Sequence, residues 1–134
     1  MSVHAHKVLI REQHLDTLGH MNSAAYHVLA EEARWQMLYE SGFTLEMVKK
    51  SGHAPVILRS ATDYFREILL REEIVISSQV IEYVGKTGKM TQAFIKGDGS
   101  IAAEITLTVG LMDLKSRKLL LPTPLWNKAL GLAN

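Results

Sequence analysis

The chain has no cysteine, only three prolines in 134 residues, and an aromatic content of 7%. The absence of cysteine excludes disulfide scaffolds, cysteine nucleophiles, cysteine-based zinc sites and iron–sulfur clusters. Lys and Arg number 15 against 14 Asp and Glu, and this balance argues against a nucleic-acid-coating or polybasic membrane protein. No apolar run approaches the roughly 18 residues of a membrane span, and residues 1–7 show no secretory signal. We therefore expect a cytoplasmic protein that binds neither nucleic acid nor membrane.

What the chain does contain is the composition of one globular domain. Apolar residues make up 47% of the sequence and charged residues 22%, which is typical of folded chains. A chain of this length buries about two thirds of its unfolded surface, so it can fold without a disulfide or a structural metal. Because no linker, repeat or low-complexity tract interrupts it, we predict a single domain over residues 1–134.

Helix and strand patterns follow one another in a simple order. Asn22 or Ser23 can cap a long helix that runs to about Ser41, where Gly42 ends it. Segments rich in Val, Ile, Thr, Tyr and Phe follow, separated by Gly-containing turns that suit antiparallel hairpins. The predicted strands cover residues 4–12, 55–67, 73–84, 89–96 and 101–112, and two short helices cover 43–51 and 125–132.

The long helix is apolar around most of its circumference. Its narrow polar stripe consists of His27, Glu31 and Arg34, and such a helix is usually buried. We predict an α+β fold in which an antiparallel five-stranded sheet wraps around this central helix. A homodimer or homotetramer that continues the sheet and places two helices side by side would complete the burial. Glu32 lies outside the stripe, where it is either a functional acid or a partner in a structural hydrogen bond or interface pair.

The candidate chemistry lies just before this helix. Asp16 and Gly19 occupy the first and fourth positions of a predicted type I turn. Unpaired backbone N–H groups at the helix N-terminus can hold a developing oxyanion, and Asp16 can fold back toward the same point. This pairing suits acyl transfer to water. A thioester is the easiest substrate, because its thiol has a pKa of about 8.5 and leaves as the thiolate.

Each candidate residue also has a purely structural interpretation. Asp16 can simply begin the turn, and Asn22 can simply cap the helix. Tyr26 lies on a helix side shared with small residues, which favours packing in the core, and His20 can either flank the helix or line the site. The six histidines form no metal-binding motif, and no serine has a Gly-x-Ser-x-Gly context. We therefore predict neither a metal site nor a serine triad.

The motif as a whole resembles a known family, and the resemblance covers nearly the whole chain. It is similar to the hotdog-fold acyl-CoA thioesterases, within them to the 4-hydroxybenzoyl-CoA thioesterase-like group, and most closely to its bacterial long-chain branch. This likeness implies a hotdog fold, an acyl-CoA substrate and no cofactor. It is carried by His14-Leu15-Asp16, His20-Met21-Asn22, Tyr26, Glu31-Glu32-Ala33-Arg34-Trp35, Tyr64-Phe65-Arg66 and the turn at 85–88.

The resemblance also implies roles for single residues. Asp16 matches the catalytic carboxylate, as general base or nucleophile, and Ser23 matches the residue whose backbone N–H polarises the thioester carbonyl. Ser23 stands where the long-chain branch usually has asparagine, and Glu67 where proline is common, which could alter the mouth of the acyl pocket. His20 and Asn22 complete the expected catalytic set. The expected substrate-binding residues are Tyr26 and, for the phosphates of coenzyme A, Arg59, Arg66, Lys86 and Lys89.

Two other functions remain open at this point. A non-catalytic hotdog module that binds an acyl thioester or a partner protein would not require Asp16. A dehydratase would require a histidine and an acid near a β-hydroxyacyl chain, and only His20 offers itself. For the thioesterase, six methionines and few aromatic residues favour medium to long aliphatic acyl chains over an aromatic ring, and hence a role in lipid metabolism.

Overall fold

One antiparallel sheet and one long helix make up most of residues 2–132, which the computed structural model describes. The first strand leads through a short 3-10 turn, Glu12–His14, into the helical part of the chain. The helices are α1 (Ser23–Glu40), α2 (Leu45–Ser51) and α3 (Pro124–Ala129). The strands are β1 (Val3–Leu9), β2 (His53–Tyr64), β3 (Glu73–Val84), β4 (Thr87–Ile95), β5 (Ile101–Asp113) and β6 (Lys118–Leu120).

The strands form a sheet in the order β1-β3-β4-β5-β2, with β6 paired to β5. Every pairing is antiparallel, and both predicted hairpin turns are confirmed, with Gly85 and Gly99 at φ of 62° and 85°. The five predicted strands are therefore present. The sheet has a sixth strand, β6, which was not predicted because three residues are too few to carry a periodic pattern.

Two of the predicted strands end three residues too late, whereas the other strand bounds are right to within two residues. β2 stops at Tyr64 because the next two backbone N–H groups, of Phe65 and Arg66, both turn to the carbonyl of Ala102. β1 stops at Leu9, and Ile10 then exchanges backbone hydrogen bonds with the turn at residues 71–72. Both changes depend on partners far away in the sequence.

The sheet wraps around one side of α1, as the hotdog fold requires. Alternate residues of β3, β4 and β5 are buried against the helix, which is the pattern of a sheet with one covered face. Ala30 and Ala33 are fully buried, and their small side chains let the sheet approach the helix closely. The predicted hotdog fold is thus confirmed, and α1 has the expected bounds to within one residue.

The opposite side of α1 is open in the single chain. His27, Glu31 and Glu32 are exposed, and Val28 is 57% exposed, so the helix is covered over only part of its circumference. Glu32 therefore does not need the buried partner that its position suggested. The prediction that Arg34 belongs to the polar stripe is also wrong, because its Nη1 donates a hydrogen bond of 2.9 Å to Gln92 Oε1.

A small polar network crosses the core beside Arg34. Gln92 and Ser78 are fully buried, and Gln92 Nε2 donates to the carbonyl of Ala30 at 2.9 Å and to Ser78 Oγ at 3.0 Å. Buried amides require such partners, so Gln92 ties β4 to both α1 and β3. Across residues 2–132, no helix combines the length and the apolar character that would let it cross a membrane.

Candidate active site

A tight loop from Asp16 to His20 stands directly before α1. Gly19 N–H donates to the Asp16 carbonyl at 3.1 Å and Asp16 N–H donates to the His20 carbonyl at 2.8 Å, which confirms the predicted turn. Gly19 has a φ of 84°, a conformation that favours glycine. The Asp16 carboxylate belongs to the same loop, since its Oδ1 accepts from the N–H groups of Leu18 and His20 at 2.9 and 3.1 Å.

The start of α1 forms the second part of the site. Asn22 is the N-cap, as expected, and its Oδ1 accepts from Ala25 N–H at 2.8 Å. The first N–H groups of a helix have no acceptor within the helix, so those of Ser23 and Ala24 are available to a ligand at the positive end of the helix dipole. Ser23 and Ala24 are both exposed, which leaves this end of the helix open to solvent.

The loop is joined to the segment that follows β2. Met21 N–H donates to the Ile68 carbonyl at 2.8 Å, and His20 pairs with Leu69 in an isolated β-bridge. Ile68 is fully buried and fixes this segment to the core. As a result, residues 64–67 stand next to the Asp16 loop and the first turn of α1.

The Asp16 loop, the start of α1 and residues 64–67 line an open cavity of about 410 Å³. Five of the nine predicted site residues line this cavity: Asp16, His20, Ser23, Tyr26 and Arg66. Asn22 lies beside the cavity as the helix cap. The described lining consists of Asp16, His20, Met21, Ser23, Tyr26, Tyr64, Phe65, Arg66 and Glu67.

Tyr26 forms an aromatic wall of this cavity. It is buried, and its ring packs edge-on against those of Tyr64 and Phe94, each with a centroid distance of 5.1 Å. Burial raises the pKa of the Tyr26 hydroxyl, and Tyr64 and Glu72 add to the shift, so the hydroxyl stays protonated at neutral pH. The residue therefore packs in the core and also faces the site.

Sequence reasoning missed four members of the lining as site residues, Met21, Tyr64, Phe65 and Glu67, and the charged one among them is Glu67. Its Oε2 lies 2.8 Å from His20 Nε2, and both side chains are partly exposed. The resemblance had marked Glu67 as a departure from the family pattern at the mouth of the acyl pocket, without relating it to His20. Nothing local in the sequence relates it to His20, because the contact depends on how the 64–69 segment docks on the Asp16 loop.

The candidates for the coenzyme A phosphates separate into two groups. Arg66 lines the cavity, and it is the one Lys or Arg of the described lining. Arg59 and Lys89 both align with Thr108 in the sheet register, which places them on the face away from α1. Lys86 is exposed in the turn between β3 and β4. In the single chain these three residues are not brought to the Asp16 cavity.

A second cavity, of about 130 Å³ and mostly apolar, lies farther along α1, between the helix and β2. Arg34 stands at its edge, held by Gln92. The apolar part of its wall includes Trp35, Leu38, Ile57, Met90, Val109 and Trp126.

In chemical terms, the first cavity is lined by two carboxylates, one imidazole and one guanidinium, and it adjoins the first turn of α1 at Ser23. A carboxylate or an imidazole can accept a proton from water, and converging N–H groups can stabilise an oxyanion. Among residues 2–132, no three His, Asp or Glu side chains are grouped so that they could hold a metal ion.

Comparisons with known proteins identify the family. The family model described as thioesterase-like superfamily matches residues 10–129. The long-chain acyl-CoA thioesterase FadM of Escherichia coli K12 is 30% identical over 115 residues, which span 85% of this chain and 86% of that protein.

Solved structures extend the comparison to the fold. The Escherichia coli YbaW probable thioesterase has a TM-score of 0.83 at 29% identity, over 94% of this chain and 95% of that chain. The Staphylococcus aureus protein SAV2348, solved in complex with CoA, has a TM-score of 0.89 at 16% identity, over 97% of this chain and 82% of that chain. With the family model spanning both α1 and the cavity, the chain belongs to the thioesterase-like superfamily and is a thioester hydrolase with the hotdog fold.

Proposed function

We propose that this protein is an acyl-CoA thioesterase in which Asp16 is the catalytic carboxylate. The observation that carries the proposal is the placement of Asp16, held by two backbone N–H groups at 2.9 and 3.1 Å, in one cavity with the open N-terminus of α1. The long-chain acyl-CoA thioesterase that is 30% identical to this chain supports acyl-CoA as the substrate class.

In the proposed reaction, Asp16 acts as the general base. It takes a proton from water as the water oxygen bonds to the thioester carbon, and the carbonyl electron pair moves onto oxygen. The N–H groups of Ser23 and Ala24 stabilise this oxyanion. When the carbonyl re-forms, the C–S bond breaks with its electron pair on sulfur, and the proton on Asp16 passes to the thiolate. The products are the free acid and coenzyme A.

Substrate contacts follow from the same geometry. Arg66 is proposed to bind a phosphate of coenzyme A, because a guanidinium at the cavity matches that group. Arg59, Lys86 and Lys89 are weaker candidates, since they lie outside the cavity. Tyr26 is proposed to contact the thioester end of the acyl group, and the apolar surface along α1 is proposed to take medium to long aliphatic chains. This preference gives the enzyme a role in lipid metabolism in the cytoplasm.

The test is the release of free thiol from acyl-CoAs between acetyl-CoA and palmitoyl-CoA, with benzoyl-CoA beside them. Asp16→Asn should lower kcat by roughly 10²–10⁴, the range for loss of a positioned acid–base group. The asparagine oxygen can accept the same two backbone hydrogen bonds, so the loop should persist. Asp98→Asn is the matched control, because Asp98 Oδ1 also accepts a backbone N–H two residues on, at 2.9 Å, and it should leave kcat unchanged.

The same panel tests chain length. Each added methylene that is buried contributes up to about 0.8 kcal/mol, so kcat/KM should rise up to about fourfold per carbon until the apolar surface is filled. Equal rates for wild-type and Asp16→Asn protein would contradict the assignment of Asp16. A flat series, or benzoyl-CoA as the best substrate, would contradict the aliphatic preference.

A further inference from the structure

His20 and Glu67 are presented by two segments that are fixed to each other. The His20–Leu69 bridge and the hydrogen bond from Met21 N–H to the Ile68 carbonyl, at 2.8 Å, join their backbones. Ile68 is fully buried and anchors one of these segments in the core. The backbones that carry the two side chains are therefore held in a fixed relation by main-chain contacts.

The backbone of Glu67 has a further anchor of its own. Lys96 Nζ donates to the Glu67 carbonyl at 2.7 Å and lies 3.5 Å from Glu72 Oε2, with both of these side chains largely covered. The Phe65 and Arg66 N–H groups donate to the Ala102 carbonyl on the other side. These hydrogen bonds use only main-chain atoms of residues 65–67. The Glu67 carboxylate takes no part in them and lies next to His20.

The carboxylate stands 2.8 Å from Nε2 of the imidazole. The negative carboxylate favours the tautomer that carries the proton on the nearer ring nitrogen, Nε2, over the tautomer that presents a nitrogen lone pair to it. In the neutral ring the other nitrogen, Nδ1, is then the hydrogen-bond acceptor. Its direction is roughly opposite to that of Nε2, because the two ring nitrogens are separated by one carbon of a five-membered ring.

We propose that Glu67 is a positioning residue that holds His20 in the Nε2–H tautomer, so that Nδ1 accepts a hydrogen bond from the water that attacks the thioester. This inference rests on the proposed function. Asp16 takes the proton, and Nδ1 is a second acceptor that orients the same water. Both groups line one cavity with the start of α1, and orientation of the nucleophile is a recognised source of rate. No bond to His20 or Glu67 forms or breaks.

Kinetics of Glu67→Gln, alone and combined with His20→Ala, test this inference. The amide can accept from or donate to the imidazole, so it no longer selects one tautomer. We expect kcat to fall about tenfold, the rate equivalent of one hydrogen bond, with KM nearly unchanged. In the His20→Ala background, Glu67→Gln should have no further effect. Glu46→Gln is the control, since Glu46 is an exposed carboxylate 3.4 Å from Lys50 Nζ, and its kcat should equal that of wild type.

Two kinetic results would overturn the inference. One is an unchanged kcat in Glu67→Gln, and the other is an equal loss in the His20→Ala background, which would mean that Glu67 acts through the loop and not through His20. Thermal unfolding of each variant, followed by circular dichroism, separates a change in rate from a loss of folded protein.

A spectroscopic readout does not depend on activity. Long-range proton–nitrogen NMR spectra of the free protein, at a pH where the imidazole is neutral, report which ring nitrogen carries the proton. The His20 signals are those missing in His20→Ala. We expect the Nε2–H tautomer in wild type and a mixture in Glu67→Gln; the Nδ1–H tautomer in wild type, or no change in the variant, would refute the coupling. If no acyl-CoA is hydrolysed, the proposed function fails, while these spectra still decide whether Glu67 selects the tautomer.

Discussion

At the scale of single residues, Asp16 and Asn22 build the site from short-range contacts. Asp16 Oδ1 accepts two backbone N–H groups of its own loop, so the interpretation of Asp16 as a turn residue is confirmed. A carboxylate offers about four acceptor positions. The two hydrogen bonds within the loop therefore leave other acceptor positions of Asp16 for the proton transfer proposed above. Catalysis by Asp16 stays a prediction until the Asp16→Asn variant is measured.

Asn22 provides a prediction about stability at this scale. Asn22→Ala removes the side-chain acceptor for Ala25 N–H, leaves its 3.1 Å hydrogen bond to the carbonyl of residue 22, and should lower the free energy of unfolding by about 1 kcal/mol, the usual effect of losing an N-cap. Urea denaturation measures the change. Asn22→Asp, which keeps a side-chain acceptor, should remain within a few tenths of a kcal/mol of wild type. Equal destabilisation by both substitutions would show that the cap is not the cause.

At the scale of elements, the contact between α1 and the sheet includes a buried polar group. Gln92 contacts Ala30, Arg34 and Ser78 from one position on β4. Burial lowers the pKa of Arg34, and Glu31 opposes this shift. Burial of the guanidinium therefore has a desolvation cost, and the hydrogen bond from Arg34 to the side-chain oxygen Oε1 of Gln92 partly offsets it.

Replacement of Gln92 tests this contact. Gln92→Leu keeps much of the side-chain volume but leaves the Ala30 carbonyl, Ser78 Oγ and the Arg34 guanidinium without their partner. The expected loss in the free energy of unfolding is about 1–3 kcal/mol, the cost of stranding buried polar groups. Gln13→Leu, at an exposed position, is the control and should change stability little. A Gln92→Leu protein as stable as wild type would show that the network contributes nothing.

At the scale of the whole molecule, the open side of α1 and the free edge of the sheet suggest a second copy of the chain. β2 is an edge strand, and it exposes Ile57 and Leu58 by 44% and 46%. Val28 on α1 is 57% exposed. Exposed apolar groups on an unpaired edge and on a helix are typical of an interface. We therefore propose a dimer that continues the sheet through β2 and pairs the two helices, with a tetramer as the next assembly.

Val28→Lys should disrupt this dimer, because it would place two ammonium groups at the contact between the helices. Light scattering at micromolar concentration should give a dimeric or tetrameric mass for wild type and a monomeric mass for the variant. Val84→Lys is the matched control: Val84 is 75% exposed at the end of β3, which two strands separate from β2 in the sheet, and the assembly should persist. A fully active wild-type monomer would refute the proposal.

Features that depend on neighbouring residues could be predicted from the sequence. The bounds of α1, the Asp16–Gly19 turn, the Asn22 cap and the two hairpins were all predicted, and the bounds of β3 matched to the residue. These features arise from periodicity, capping and turn preferences, which act over a few residues. The resemblance to hotdog thioesterases added the wrapping of the sheet around the helix.

Contacts between residues far apart in the sequence became known from the three-dimensional fold. The strand register placed Arg59 and Lys89 on the outer face, the buried Gln92 drew Arg34 inward, and the docking of residues 64–69 brought Glu67 to His20. None of these outcomes has a local signal. Each depends on register and packing between segments far apart in the chain, where a one-residue slip would move a side chain to the opposite face of the sheet.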